Sequence, residues 1–328
     1  GRNKDCYMVF NGGFSEKLFY SRGMRSCRDT LDCYYGVNAE LSYECVNIFD
    51  SSRTRYSQNV RSCVDSWFLR DCTGCTNCFG CINLRYKDYY FFNEPIEKDE
   101  YQRRVNEIVG SFSGIQEMRK QWEDLSASLP FKENHNMKSE DCSGDYIIDS
   151  KNCAHSFEID KNENCSYNYF TKTAKDAYDC VGFGFDSELL YENVAAGFSH
   201  RVIGSIYAEN CTELEYCQNV RASSSCIGCV GLEKAQFAIL NTIYPEREYR
   251  ALHERIVESL KKERQWGEFF PISQAPFSYN ETIAHDYYPM TKEEALSQGY
   301  RWQDELPGTI GKETAPLDSI PDHIRDVP

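Results

Sequence analysis

Cys63-Val64-Asp65-Ser66-Trp67-Phe68-Leu69-Arg70-Asp71-Cys72-Thr73-Gly74-Cys75-Thr76-Asn77-Cys78-Phe79-Gly80-Cys81 is the stretch whose reading decides the architecture. Steps of six from Cys63 meet Leu69, Cys75 and Cys81. Carried back to residue 15, the same step meets Ser15, Ser21, Cys27, Cys33, Ala39, Cys45, Ser51 and Ser57, so eleven of the twelve positions hold Ser, Cys or Ala. Neither the 3.6-residue period of a helix nor the two-residue period of a strand gives a period of six. A β-solenoid does. Three faces of six residues make a coil of about 18, with each residue about 4.8 Å from its equivalent in the next coil. On this reading Cys27, Cys45, Cys63 and Cys81 stack as a ladder. Leu31, Val37, Tyr43, Phe49, Trp67 and Phe79, two positions before the small residues, fill the rest of the core. Gly, Asn and Asp suit the corners.

The chain is also written twice. Cys6, Phe10, Glu16, Tyr20, Asp29, Asp32 and Cys33 recur 147 residues later as Cys153, Phe157, Glu163, Tyr167, Asp176, Asp179 and Cys180. One inserted residue then moves the offset to 148, which relates Glu40, Tyr43 and Glu44 to Glu188, Tyr191 and Glu192. It also relates Cys78, Cys81, Asn93, Tyr101 and Ile108 to Cys226, Cys229, Asn241, Tyr249 and Ile256.

A stack of coils has open ends that must be covered. Tyr101, Val105 and Ile108, then Ile115, Met118, Trp122 and Leu125, follow helical spacing, broken at Gly110 and Gly114. Pro245 opens a second pattern through Tyr249, Leu252, Ile256 and Leu260. The chain thus reads as mainly β, a duplicated β-solenoid with α-helical caps. Copy one spans 1–96, a helical cap and linker 97–141, copy two 142–244, a cap helix 245–265, and a wrapping tail 266–328. Within the tail, Thr291-Lys292-Glu293-Glu294 is a capping box that predicts a short helix over Glu293–Gln298, with Gly299 as its stop. Residues 303–328, with four prolines, are expected to be extended or disordered.

Lys and Arg number 36 against 51 Asp and Glu, a net charge of −15 that argues against a phosphate-backbone binder. No run of about 18 apolar residues predicts membrane insertion. The chain starts in mid-repeat, at Arg2-Asn3-Lys4-Asp5-Cys6-Tyr7, which reads as a cut or processed end. There is no signal-peptide pattern, but with a cut start targeting signals do not fix the compartment, and a cytoplasmic or particle-associated location is favoured without being assigned.

Cys72, Cys75, Cys78 and Cys81 are the sharpest local constellation. Thiolates at this density can hold zinc or an iron–sulfur cluster. The alternative is a set of reduced core thiols. It is favoured because the equivalents in copy two are Val220, Ser223, Cys226 and Cys229, so the fold needs no metal there. Disulfides along the ladder are disfavoured, since in-register Cβ vectors bridge poorly. The six histidines (135, 155, 200, 253, 285 and 323) lack counterparts in the other copy and stand at no ligand spacing, which predicts lone surface or cap residues. The duplicated carboxylates Glu40/Glu188 and Glu44/Glu192 could serve sugar chemistry, but a solvated face beside Tyr43/Tyr191 is the expectation.

Asn77-Cys78-Phe79-Gly80-Cys81-Ile82-Asn83-Leu84-Arg85, Pro276-Phe277-Ser278-Tyr279-Asn280-Glu281-Thr282 and Tyr288-Pro289-Met290-Thr291-Lys292-Glu293-Glu294-Ala295-Leu296 together resemble a family of uncharacterised Cys-rich repeat proteins of candidate-phylum bacteria and environmental and phage sequences. The resemblance covers nearly the whole chain. Members often carry extra zinc-ribbon segments, which this sequence lacks. The resemblance implies no activity. The sequence therefore predicts a non-catalytic structural or binding module, a scaffold or assembly subunit with a protein partner or its own copies. A metal-dependent, nucleic-acid-associated protein is the alternative, weakened by the charge. A carbohydrate-binding or carbohydrate-active protein, using exposed tyrosines and carboxylates, is the second.

Overall fold

Every third residue from Ser15 to Cys81 is buried. In the computed structural model, which describes residues 2–306, 316 and 319–327, this triplet is the unit of the fold. The first residue points inward and the second is extended and faces out. The third turns the chain through a left-handed conformation: Asp29, Asp32, Tyr35 and Asn38 have φ of 49, 52, 53 and 53°. Asp and Asn tolerate that region best among residues with a Cβ, which accounts for their recurrence there. Four triplets return the chain beside itself, and the strands pair in parallel with a register of twelve. Tyr34 faces Val46, and Val46 faces Gln58. The result is mainly β structure in large parallel sheets.

The register of twelve corrects the coil of eighteen. The period of six is two triplets, because small residues occupy alternate inward positions while Leu18, Met24, Ile48 and Val60 occupy others. Cys27 therefore lies on Ala39, and Cys63 on Cys75, while Cys45 and Cys63 belong to different columns. Leu31, Val37, Tyr43, Phe49 and Trp67 are not the core filling expected of them. They occupy outward positions, and Leu31 is 37% exposed. Phe79 is buried, but against the helices.

Small size is only part of why Ser, Cys and Asn recur. An inward residue at a bend has a backbone N–H that its neighbouring strands do not reach, and leaving such a group buried and unpaired costs about 1–3 kcal/mol. The side chain twelve residues earlier accepts it. Cys27 N–H donates to Ser15 Oγ (3.1 Å), Cys63 N–H to Ser51 Oγ (3.0 Å) and Leu69 N–H to Ser57 Oγ (3.0 Å). In copy two Ala174 N–H donates to Asn162 Oδ1 (2.9 Å) and Cys211 N–H to Ser199 Oγ (3.1 Å). Each hydroxyl in turn donates to the carbonyl two residues back, as Ser51 does to Phe49 (2.7 Å).

The chain divides into two compact units at residues 131 and 132, and the described tail beyond 316 belongs with the first. The second ladder has begun by Met137, which pairs with Ile148 with a register of eleven, so residues 137–141 are not linker. The inserted residue detected in the sequence lies between Phe183 and Ser187. There the register widens to thirteen (Ala174 to Ser187) before returning to twelve (Glu188 to His200). Each ladder ends in an antiparallel flap, Asp88–Phe91 against Glu94–Pro95 and Gln236–Ile239 against Thr242–Ile243. Two consecutive positive φ values, at Phe92 and Asn93 and again at Leu240 and Asn241, make each turn. The matched asparagines close the edge: Asn93 accepts from Ile82 N–H (2.7 Å) and donates to its carbonyl (3.1 Å), and Asn241 does the same for Val230.

Helices α1 (Lys98–Ile108) and α2 (Phe112–Ser128) follow the first ladder, and α3 (Glu246–Lys262) the second. Tyr101 and Ile115 are buried among Phe68, Phe79 and Trp122, each contributing about 1.5–3 kcal/mol. Tyr249, the match of Tyr101, packs with Ile227 and Ile239. The break between α1 and α2 falls at Gly110, whereas Gly114 lies inside α2 and donates to its N-cap Ser111 (3.0 Å). Asp322 joins that cap, accepting from Ser111 Oγ (2.6 Å) and Ser113 N–H (2.7 Å). Part of the tail expected to wrap the surface folds on itself instead. Tyr279 N–H donates to the Arg301 carbonyl, and Asn280 bridges Gln303 in both directions. Here α4 (Ala284–Tyr287) precedes α5 (Lys292–Ser297), which has the expected capping box. The rest of the expectation for 303–328 falls partly on residues 307–315, 317, 318 and 328, outside the described residues.

Candidate functional site

The cysteine constellation lands within one twelve-residue turn of the ladder. Cys72, Cys75, Cys78 and Cys81 are its successive inward residues, each 0% exposed. Their S–H groups donate to the carbonyls of Arg70, Thr73, Thr76 and Phe79, at 3.3, 3.6, 3.3 and 3.3 Å. Contact with the neighbouring Cys75 thiol, together with burial, pushes the Cys63, Cys72 and Cys78 thiols above their ordinary range. All seventeen cysteines are free thiols, and fifteen are buried. Among the described residues no group of three or more His, Cys, Asp or Glu is arranged to hold a metal ion. These thiols are core groups of the right size, weak donors to carbonyls that the bends bring inward.

The duplicated carboxylates diverge. Glu40 pairs with Arg28, and Glu44 with Arg119 of α2 (2.7 Å), whose guanidinium also lies 4.9 Å from the Tyr56 ring centre. In copy two burial, Asp179 and Glu268 push the Glu192 carboxyl above its usual range. One matched acid is thus satisfied by an arginine and the other is crowded by acids.

A second divergence opens a groove. Arg55 of copy one lays its guanidinium 4.6 Å from the Trp67 ring centre, and Trp67 and Val105 of α1 both pack against the aromatic cluster of Phe68, Phe79 and Tyr101. The offset of 148 puts Ile203, Glu215 and His253 at these three positions. A long cation and a large ring are replaced by a shorter side chain and a carboxylate. Between α3 and the strands of copy two lies a groove of about 650 Å3. Leu190 and Tyr249 are its buried floor, while Tyr178, Leu189 and Tyr191, all 39–44% exposed, stand at its walls with Trp266.

His253 Nε2 is 2.5 Å from Glu215 Oε2, with its ring stacked 5.5 Å from that of Tyr249. The carboxylate raises the imidazole pKa above its ordinary value, against an opposing contribution from burial. Arg201 and Arg250, the groove's two guanidinium groups, already pair with Glu213 (3.5 Å) and Glu246 (2.7 Å). Asp176 accepts from Asn164 (3.1 Å). Tyr216 holds the segment after α3 at the groove's edge, accepting from Gly267 N–H (2.7 Å) and lying edge-on to Trp266 (5.9 Å).

His253 is therefore not the lone cap residue that the sequence predicts. Spacing did not expose its pairing, because 38 residues separate it from Glu215. Aligning the copies does. Trp67 and Val105 pack against one cluster, and their replacements Glu215 and His253 are an acid and a base.

No protein-family model matches the chain, and no curated protein matches it. Among solved structures it is similar to a "putative acetyltransferase" from Desulfovibrio desulfuricans G20, at 9% identity and a TM-score of 0.14, over 76% of this chain and 68% of that one. It is also similar to UDP-N-acetylglucosamine acyltransferase from Campylobacter jejuni, at 7% identity and a TM-score of 0.11, over 79% and 88%. Overlaps this weak carry no argument about function.

Proposed function

We propose that the chain is a non-catalytic binding module: two β-solenoid stacks with coils of twelve residues, the first packed for stability and the second carrying a ligand groove under α3. The divergence of matched positions carries this reading. In copy one Arg55 covers the Trp67 ring, while in copy two the matched Ile203 and Glu215, with His253, line a groove of about 650 Å3 with tyrosines at its walls. Duplicated units that stay alike in their core columns yet differ at one packed face are under different demands at that face. Among the described residues no Ser, Cys or Thr lines the groove beside the His253–Glu215 pair, which favours binding over turnover.

The four tryptophans provide the test. Trp266 lines the groove, while Trp67 and Trp122 pack in the aromatic cluster of copy one and Trp302 sits against His285. Indole N–H resonances are followed as blocked cationic peptides, acidic peptides and neutral oligosaccharides are added in turn. The reading expects one class to move the Trp266 resonance and leave Trp67 in place. Shifts confined to Trp67 or Trp122, or no shift with any class, contradict it. Oligosaccharide remains the second reading, favoured by Tyr178, Tyr191 and Trp266 standing beside carboxylates.

A further inference from the structure

We infer that the groove of copy two binds the guanidinium group of an arginine presented by a partner peptide, at the position that Arg55 fills from within in copy one. The inference rests on the groove reading above and names its ligand. The internal duplicate shows what this face accepts. In copy one a half-buried guanidinium lies over Trp67 there. Copy two lacks that cation, since Ile203 stands in its place, and has gained a carboxylate, since Glu215 replaces Trp67.

The two arginines still in the groove pair with Glu213 and Glu246. His253 sits on one oxygen of Glu215. Tyr191 and Tyr178 offer ring faces at the walls, and a planar guanidinium can pair with a carboxylate and stack on a ring at once. A second site shows the same exchange. Arg119 answers Glu44 in copy one, whereas Glu268 approaches the matched Glu192 in copy two. Both changes favour a cation supplied from outside. The peptide is preferred to a free amine because the groove's exposed Leu189 and its Ile203 can meet the apolar neighbours of an arginine.

The probe is the blocked tripeptide Ala-Arg-Ala, titrated against the full chain by calorimetry at about 0.15 M salt, where the screening length of about 8 Å suppresses attraction to the overall charge. Ala-citrulline-Ala, agmatine and maltohexaose are titrated alongside. The inference expects binding of the arginine peptide, none of the citrulline peptide, and weaker binding of agmatine. Glu215→Gln should weaken the peptide by about tenfold or more. Ile203→Arg, which restores the internal cation, should abolish binding. Glu107→Gln removes one charge from exposed α1 and should change nothing. Far-UV circular dichroism checks folding, and Glu215→Gln suffices if Ile203→Arg does not fold. Equal binding of the citrulline peptide, or an unchanged affinity in Glu215→Gln, overturns the inference. Agmatine binding as tightly as the peptide overturns the choice of a peptide. Maltohexaose binding that Ile203→Arg blocks, without arginine binding, overturns the cation and leaves the groove reading standing. No binding of any probe overturns both.

Discussion

Substituting Ser51 by alanine separates two accounts of the six-residue period. If the position demands only a small side chain, Ser51→Ala is neutral. The structure assigns the hydroxyl a specific bond. Ser51 is 2% exposed, and its Oγ accepts from Cys63 N–H at 3.0 Å. Its own proton goes to the Phe49 carbonyl, which keeps a second partner in Ser62 N–H (2.9 Å). Alanine therefore orphans one buried group, not two. The cost is about 1–3 kcal/mol, against a total of about 5–15 kcal/mol for a folded domain. Ser51→Cys should lose less, because a thiol can take the same role: Cys27 Sγ accepts from Ala39 N–H at 3.4 Å. Urea unfolding measures both, with an unchanged slope showing that the denatured state is not at issue. A loss below about 0.5 kcal/mol in Ser51→Ala, the level of an ordinary surface change, would refute the hydrogen-bond account.

Asn93→Ala should cost at least as much as Ser51→Ala by the same measurement, since it strips two partners from the backbone of buried Ile82. His253→Gln should show a pH signature. Glu215, with a smaller contribution from Glu213 and against burial and Arg250, raises the imidazole pKa in the folded chain. The resulting stability is fully present below the unfolded value of about 6.5 and is lost as pH rises through the raised folded value. The variant should thus be less stable than the parent near pH 5 and approach it near pH 8. A difference independent of pH would show that the ring acts only by packing on Tyr249. Thiol titration without reductant should find all seventeen cysteines in denaturant, whereas in the native protein Cys6 and Cys142 should react first, being the two not buried.

Much of the fold was legible because repetition amplifies weak local signals. The small residues at every sixth position, the duplication, the inserted residue and the capping helices all announce themselves in the sequence. The register was not legible, and the reason is physical. A period of six is compatible with coils of twelve or of eighteen residues, and what distinguishes them is the inward residue between the small ones. Leu18, Thr30, Ser42 and Ser66 at those positions have no common size or polarity, while aromatic residues such as Tyr43 and Trp67 suggest a core although they face outward. The thiol motif is conspicuous in sequence because four consecutive inward positions happen to carry the same small residue. The groove is quiet because its residues, Ile203, Glu215 and His253, gain meaning only beside Arg55, Trp67 and Val105. Their contact depends on α3 lying across strands 30–50 residues away in the chain.

The register of twelve is the claim on which both the column chemistry and the groove depend, since it brings Arg201 beside Glu213 and Leu190 beside Val202. Amide-to-amide nuclear Overhauser contacts in perdeuterated protein measure it directly, because adjacent strands lie about 4.8 Å apart. Contacts linking the residues around Tyr34 to those around Val46, and those around Val46 to those around Gln58, are the predicted result. Contacts linking the residues around Tyr34 to those around Ser52, a register of eighteen, would contradict it.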